Sequence, residues 1–370
     1  MNLNIVCDYS SVYSGSFIAS ILLFTDSIKD SNNIIFSFPV DAKNRDWIQN
    51  IKNKGFKTYF FSREKRKMSK ELRKICKQEN TDLAYFHFVS PALGKAIFFF
   101  SKIKLCFHIH SDFSGGRKQH LLRRLKDNFF DRFVKRESIY FYVSKDLFSR
   151  SKVKNKYYIP NGLMINKDNF VSLPSNKKQY EVNENRTVNL KSPIFLAFAW
   201  SPFVKGIDIL VAAFTELLKT TNAYLFLVHG KNDGKDKLID FLHSKNLFDF
   251  HNIVFVPPIE NVCEYYMKCS CFVSSSRSEG FSYSVLEAIS LHKTIIVSDI
   301  PGTSWSHAFK NVLVFSSTDV LSLKNAMLNA IGTIVSGDDI AYNNSLLKEY
   351  SAEKWNANVI RCFSDQGIKL

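Results

Sequence analysis

The sequence predicts an α/β protein of two Rossmann-like, doubly wound domains facing a cleft, and three observations lead there. Short apolar runs rich in β-forming residues alternate with helix-length amphipathic segments. The runs are continuously apolar rather than apolar and polar in turn, as expected for strands covered on both faces of a parallel sheet. The pattern halts in a polar stretch near the middle of the 370 residues and then restarts. A chain of that length ordinarily divides into units of roughly 100–200 residues.

In chain order, the strand candidates of the first half are NLNIVCDY (2–9), NIIFSFPV (33–40), KTYFFS (57–62), DLAYFHFV (82–89), KLCFHIH (104–110), IYFYVS (139–144) and YYIPNG (157–162). From about 166 to 191 the chain is polar and aperiodic, ending SLPSNKKQYEVNENRTVNLK, and reads as a linker or exposed loop. Alternation resumes with IFLAFAW (194–200), AYLFLVHG (223–230), NIVFVPP (252–258), CFVSSS (271–276), TIIVSD (294–299) and VLVF (312–315). Helix candidates lie between them, among them GIDILVAAFTELLKT (206–220) and KDKLIDFLHSK (235–245). The expected division is 1–168, a linker over 169–192, and 193–349.

Hydrophobic residues make up 45 % and charged residues 23 %, ordinary for a soluble globular protein. The net charge of +16 is unevenly placed: residues 1–200 hold 35 Lys+Arg against 17 Asp+Glu, and the remainder 15 against 17. The first half therefore suits an acidic partner. Two segments carry much of the excess, SREKRKMSKELRKICK (62–77) and RKQHLLRRLKDNFFDRFVKRE (117–137). The second spaces Leu122, Leu125, Phe129 and Phe133 for one helical face. That stripe suits either packing on the sheet or lying on an anionic membrane. Aromatic residues are not interleaved with these charges for base stacking, so no nucleic-acid partner is expected. The seven cysteines form no CxxC pair, which points to free thiols in a reducing compartment. No signal peptide is visible and no apolar stretch approaches the roughly 20 residues of a membrane span. The expected location is cytoplasmic.

Several constellations face the carboxyl ends of predicted strands, where ligands bind in such sheets. SEGFSYSVLEA (278–288) places Glu279 in a loop after a strand and Glu287 in the following helix, expected to begin near Ser284. Ser284-Val-Leu-Glu287 fits a capping box, so Glu287 has a local reading as a partner of a backbone N–H. It also has a ligand reading, because a helix start offers free N–H groups to a phosphate while carboxylates accept from ribose or sugar hydroxyls. WSPFVKGID (200–208) puts Lys205 on the same rim, placed to meet a diphosphate. In DYSSVYSGSFIAS (8–20), Gly15 permits close approach of a ligand to the backbone. FHIHSDF (107–113) sets His108 and His110 on one face of a strand end. No carboxylate or Cys set completes a metal site there, and a His that hydrogen-bonds a ligand is the expectation. No D-x-D and no G-x-x-x-x-G-K-[ST] occurs, which argues against a carboxylate-held nucleotide metal and against a P-loop.

In this order, the small-residue loop around Gly15, the strand-end His of FHIHSD, IPNG (159–162), the KG of 205–206, and E-x7-E of EGFSYSVLEA resemble the retaining glycosyltransferases of family 4, which have the GT-B fold. TIIVSDIPG and the closing KEYSAEKWNANVIRCF (348–363) are similar to further family segments, and the resemblance implies that a helix over about 350–370 returns to the first domain. It further implies that the second domain binds a nucleotide-activated sugar. Glu287 would bind the ribose and Glu279 the donor sugar. The backbone of Phe281 and Ser282 would meet sugar hydroxyls, and that of Ser284 and Val285 would lie near the phosphates. Lys205 would neutralise the leaving diphosphate, Gly15 and Ser16 would approach it, and His110 would sit near the reacting sugar and acceptor. Where family members often carry Arg, this chain has Trp200 with Ser201 next, so backbone amides and Ser201 are expected to share the load.

The expected activity is transfer of a hexose-type sugar, with retention, from a nucleotide-diphosphate sugar (UDP before GDP) to an acceptor hydroxyl. The basic first half suits a lipid-linked glycan acceptor at the inner face of an anionic membrane, in surface polysaccharide synthesis. No cofactor and no metal is expected, the nucleotide sugar being a substrate. The competing readings are a nucleotide-sugar epimerase of the same fold and a non-catalytic basic protein that binds membranes or polyanions.

Overall fold

The computed structural model describes residues 1–110, 138–164, 179–183, 186–189, 191–230 and 232–370. The basic segment 117–137 lies outside the described residues. The chain forms two compact units, Met1–Met164 with Tyr350–Leu370, and Ile165–Glu349.

The first unit runs β1 (Asn2–Cys7), α1 (Gly15–Ile28), β2 (Asn33–Pro39), α2 (Asp46–Asn53), β3 (Lys57–Phe61), α3 (Lys65–Gln78), β4 (Leu83–His87), α4 (Pro91–Ile97), β5 (Lys104–Ile109), β6 (Ser138–Tyr142), α5 (Lys145–Arg150) and β7 (Lys156–Tyr158). All seven strands are parallel, in the order β3-β2-β1-β4-β5-β6-β7. The central strands are buried along nearly their whole length, as in β4, where every residue is inside. This is why they read as unbroken apolar runs. Helix α3 shows the opposite pattern: Met68, Leu72, Ile75 and Cys76 face the core at helical spacing while its lysines and arginines face out. Ser90 caps α4 by accepting from the Leu93 N–H, with Pro91 as the first helical residue.

The second unit opens with a two-stranded antiparallel ribbon, β8 (Gln179–Asn183) and β9 (Arg186–Asn189). It lies within the polar stretch that reads as loop, because its short strands lack the apolar run by which the others announce themselves. Then follow β10 (Ile194–Phe198), α6 (Ile207–Leu218), β11 (Tyr224–Val228), α7 (Gly234–His243), β12 (Ile253–Val256), α8 (Cys263–Lys268), β13 (Cys271–Ser274), α9 (Tyr283–Ser290), β14 (Thr294–Ser298), β15 (Val312–Phe315), α10 (Val320–Ala330) and α11 (Gly337–Leu347). The parallel sheet has the order β12-β11-β10-β13-β14-β15. Its core joins Phe195, Leu210, Phe214, Leu227, Val273 and Met327, all essentially buried.

Helix α12 (Ala352–Asp365) belongs to the first unit. Ser351 caps it, and Leu163 bridges to Ser351 next to the IPNG segment. Ser20 of α1 donates to the Gly162 carbonyl at 2.6 Å. Phe24 of α1 meets Trp355 of α12 edge-on, with ring centroids 6.0 Å apart. All thirteen predicted strand segments, seven and six, overlap a strand, though YYIPNG (157–162) meets only the last two residues of β7. Among the described residues no helix is long and apolar enough to cross a membrane, and all seven cysteines are free thiols.

Candidate functional site

In the second unit the strand order turns between β10 and β13. The chain moves outward from β10 to β11 and β12, then returns to the other side of β10 with β13. Two loops leave the same carboxyl edge there, 199–206 after β10 and 275–282 after β13. Such a switch point is where open α/β sheets bind ligands.

The two loops are tied together. Ser275 Oγ donates to the carbonyls of Lys205 and Gly206 at 2.8 and 3.1 Å. The Arg277 N–H donates to the Val204 carbonyl at 2.8 Å. The Arg277 guanidinium reaches the Phe203 carbonyl at 2.8 Å and forks onto Asp208 with two contacts of 2.7 Å. That bidentate geometry fixes a direction as well as a distance. Gly206 has φ +62° and a Cβ there would lie 2.1 Å from the Ser275 carbonyl oxygen. Only glycine lets the loops approach so closely.

This brace brings two of the predicted residues into contact. Lys205 Nζ lies 2.5 Å from Glu279 Oε1, with side chains 18 % and 13 % exposed. Ser276 Oγ donates to the same carboxylate oxygen at 2.7 Å. From behind, Gly302 sits against the Glu279 backbone, where a Cβ would come within 2.1 Å of its carbonyl oxygen. Ser201 is exposed on the Lys205 loop, and its carbonyl accepts the Lys205 N–H at 2.9 Å. Trp200 is 53 % exposed and stacks on Phe198 with ring centroids 4.9 Å apart. It presents an apolar face, not a cation, at the edge of the site.

The start of α9 differs from the expected capping box. Ser282, not Ser284, is the N-cap, and its hydroxyl accepts from the Val285 N–H at 3.4 Å. Ser284 is the second helical residue, its hydroxyl 2.9 Å from that of Ser282. Glu287 therefore falls in the second turn, beyond reach of the cap, and the local reading of its carboxylate fails. The reason is the buried Phe281, whose ring stacks on Trp305 at 4.2 Å and anchors the chain so that the helix begins directly after Ser282. Glu287 is held instead by Tyr266, whose hydroxyl lies 3.3 Å from Glu287 Oε2 and donates to the Ser284 carbonyl at 2.8 Å. Burial pushes the Tyr266 phenol well above its ordinary value, and the Glu287 charge adds to the shift. It stays a neutral donor.

In the first unit the strand order turns between β1 and β4. Gly15, at φ +58°, opens α1 directly after the β1 loop, with Ser16 half-buried behind it. The next residue, Phe17, meets the rings of both His87 and His110, at 5.2 and 5.5 Å. The structure thus brings Gly15, Ser16 and His110 to one edge. His87 was not anticipated, yet His87 and His108 are register partners on β4 and β5. His87 Nδ1 lies 3.0 Å from His110 Nε2, one ring donating and the other accepting. His108 Nδ1 is 2.7 Å from the Tyr85 hydroxyl. Burial holds His87 and His110 well below the usual imidazole value and brings His108 to about 3, so all three are neutral at pH 7.

Among the described residues these three histidines are the group whose ligand atoms approach closely enough for a metal, all within 4.8 Å. Their rings pack face to face, His108 on His110 at 17° and on His87 at 29°.

Sequence patterns missed Tyr266, Ser276, Arg277 with Asp208, and His87. Only the E-x7-E frame pointed near Ser276 and Arg277. Tyr266 lies on a separate helix with no local mark.

Residues 192–333 match the family model described as "Glycosyl transferases group 1". That range contains Lys205, Glu279, Tyr266 and Glu287. No curated protein sequence matches the chain. Among solved structures, the chain is similar to a sucrose-phosphate synthase from Thermosynechococcus elongatus, with TM-score 0.75 at 15 % identity, covering 99 % of this chain and 98 % of that one. It is similar to Alr3699/HepE of Anabaena, crystallised with UDP and glucose, with TM-score 0.74 at 15 % identity, covering 98 % and 99 %. It is also similar to a glycosyltransferase from Rickettsia africae, with TM-score 0.71 at 14 % identity, covering 98 % and 97 %. Two Rossmann-like parallel-sheet domains with these neighbours constitute the GT-B fold.

Proposed function

We propose that the chain is a retaining, metal-independent glycosyltransferase of family 4 that moves a sugar from a nucleotide-diphosphate sugar, UDP-linked in preference to GDP-linked, to an acceptor hydroxyl. One observation carries the reading. Lys205, Glu279 and the first turn of α9 converge at the switch point of the second sheet, inside the range that matches group 1 glycosyltransferases. The UDP and glucose bound by the HepE protein support the choice of donor.

The chemistry follows from charge. As the bond from sugar C1 to the diphosphate breaks, negative charge grows on the leaving group and the sugar gains oxocarbenium character. Lys205 and the N–H groups at the start of α9 meet that negative charge in a fixed arrangement that needs no reorganisation. The Lys205–Glu279 pair holds the ammonium in place, and the Glu279 carboxylate also accepts from donor sugar hydroxyls. Glu287, set by Tyr266, accepts from the ribose. The acceptor hydroxyl attacks C1 from the leaving-group face as the C1–O bond breaks, and its proton passes to the departing diphosphate oxygen, giving retention without a carboxylate nucleophile. His110, neutral and oriented by His87, serves the acceptor side within the first unit. Gly15 and Ser16 offer close backbone approach to a donor phosphate.

The excess charge of the first half suits a lipid-linked, phosphate-bearing glycan acceptor and an anionic membrane surface, as in surface polysaccharide synthesis. A screen of nucleotide sugars by thermal shift tests the donor reading. A donor at about 100 times its Kd stabilises by about 2.7 kcal/mol. No shift with any nucleotide or nucleotide sugar would refute the transferase.

A further inference from the structure

The first unit carries a second feature, on the side of α3 and the α4–β5 connection. Seven cations of α3 are exposed: Lys65, Arg66, Lys67, Lys70, Arg73, Lys74 and Lys77. Lys67 pairs with Glu64 at 2.8 Å, but Lys70, Arg73, Lys74 and Lys77 make no ion pair with a described residue. The helix cannot turn these charges away, because Met68, Leu72, Ile75 and Cys76 pin its other face into the core. Beside its carboxyl-terminal half, the α4–β5 connection exposes two adjacent aromatic rings. Phe100 is 94 % and Phe99 45 % exposed, while Phe98 is buried and holds the connection down. A cavity of about 490 Å³ lies between the two elements. Arg73, Lys77 and Thr81 line one wall, and Ile97, Phe99 and Phe100 the other.

We propose that this cavity and its rim form a docking site for an anionic phospholipid bilayer, with a lipid phosphate between Arg73 and Lys77 and the Phe99 and Phe100 rings inserted among acyl chains. The proposal rests on the membrane part of the function proposed above and gives it a place. The chemistry is that of an amphiphile: cations on one wall and apolar rings on the other match a phosphate headgroup joined to a hydrocarbon chain. Polybasic segments are drawn to anionic leaflets, and aromatic rings with cationic neighbours are the side chains that settle at the headgroup boundary. The two adjacent rings form a local apolar patch beside the cations, Phe100 94 % and Phe99 45 % exposed. An acidic protein partner would use the charges but leave the two rings without a purpose.

The test uses the full chain with vesicles of phosphatidylcholine alone or with 30 % phosphatidylglycerol. A Phe100→Trp variant reports the contact, read as its emission minus that of the parent protein. The expected result is a blue shift on the anionic vesicles only, and quenching by lipids brominated along the acyl chain. Inorganic phosphate at matched ionic strength leaves that emission unchanged. Co-sedimentation of Arg73→Gln and Lys77→Gln weakens about fivefold for each charge removed, and Phe99→Ala/Phe100→Ala weakens at least tenfold. Vesicle binding without a shift at position 100 places the contact elsewhere and overturns the proposal. So does a shift that brominated lipids do not quench. Absence of vesicle binding overturns both the site and the membrane reading. A thermal shift with UDP, measured on the same variants, is expected to be unchanged, so that loss of membrane binding is distinguished from failure of the donor site.

Discussion

Lys205→Ala separates the two things Lys205 does, holding Glu279 and meeting a leaving group. Its removal leaves the Glu279 carboxylate, 13 % exposed, with Ser276 as the remaining described donor to that oxygen. Stranding a largely buried carboxylate costs about 2–3 kcal/mol, below the fully buried range because one edge of the pair meets water. For a unit the size of Ile165–Glu349, that is a fall in Tm of about 4–12 °C. Sugar transfer should fall further, by at least ~10²-fold, because a fixed charge aimed at the leaving group acts mainly in the transition state. The double variant Lys205→Ala/Glu279→Ala discriminates. Removing the stranded charge recovers about 1–2 kcal/mol relative to the sum of the single variants, but transfer does not recover. The assays are thermal unfolding and initial rates with the best donor from the screen. Near-parent transfer by Lys205→Ala would refute its role at the diphosphate. Stability effects that add within about 0.5 kcal/mol would refute the coupled pair.

Three further outcomes are expected. Gly206→Ala places a Cβ 2.1 Å from the Ser275 oxygen at a positive φ. It should destabilise the second unit by about 3 kcal/mol or more, and parent-like melting would show that the loops are not braced there. Tyr266→Phe removes the hydroxyl whose one proton is shared between the Ser284 carbonyl and Glu287. It should raise KM for the nucleotide sugar about 3- to 10-fold with kcat less affected, since the hydrogen bond lost contributes about 1 kcal/mol; an unchanged KM argues against Glu287 as the ribose partner. Acid should weaken the first unit through its histidines. The His108 value is lowered to about 3, so the unfolded chain takes up the proton first. Stability is then intact above about pH 6.5 and falls as pH drops toward 3, by about 1.4 kcal/mol per pH unit for each such histidine. His87 and His110, lowered by burial, act in the same direction. Urea unfolding between pH 7 and 4 checks this, and a flat profile contradicts their neutral burial.

The strands and their parallel direction were legible because burial on both faces leaves an unbroken apolar run, a one-dimensional signal. All thirteen appear in the sequence, and so does the placement of Lys205, Glu279 and Gly15 after strands, since loop position follows from strand position. The β8–β9 ribbon was not legible, because its polar strands carry no such run. The start of α9 was misread for a related reason. Ser282 and Ser284 both suit a cap, and the choice is made by Phe281 stacking on Trp305, a contact with a residue far along the chain.

What the sequence by itself determined is the periodicity, the glycine at 206, and the charge carried by the first half. Each depends on a residue and its near neighbours. Tertiary structure alone decided which groups meet. Lys205 and Glu279 pair because β10 and β13 are adjacent at the switch point. Tyr266 reaches Glu287 from a separate helix. His87 joins His110 because parallel register places the ends of β4 and β5 side by side. These are relations across a sheet, and strand order in space is not written in any local stretch of the chain.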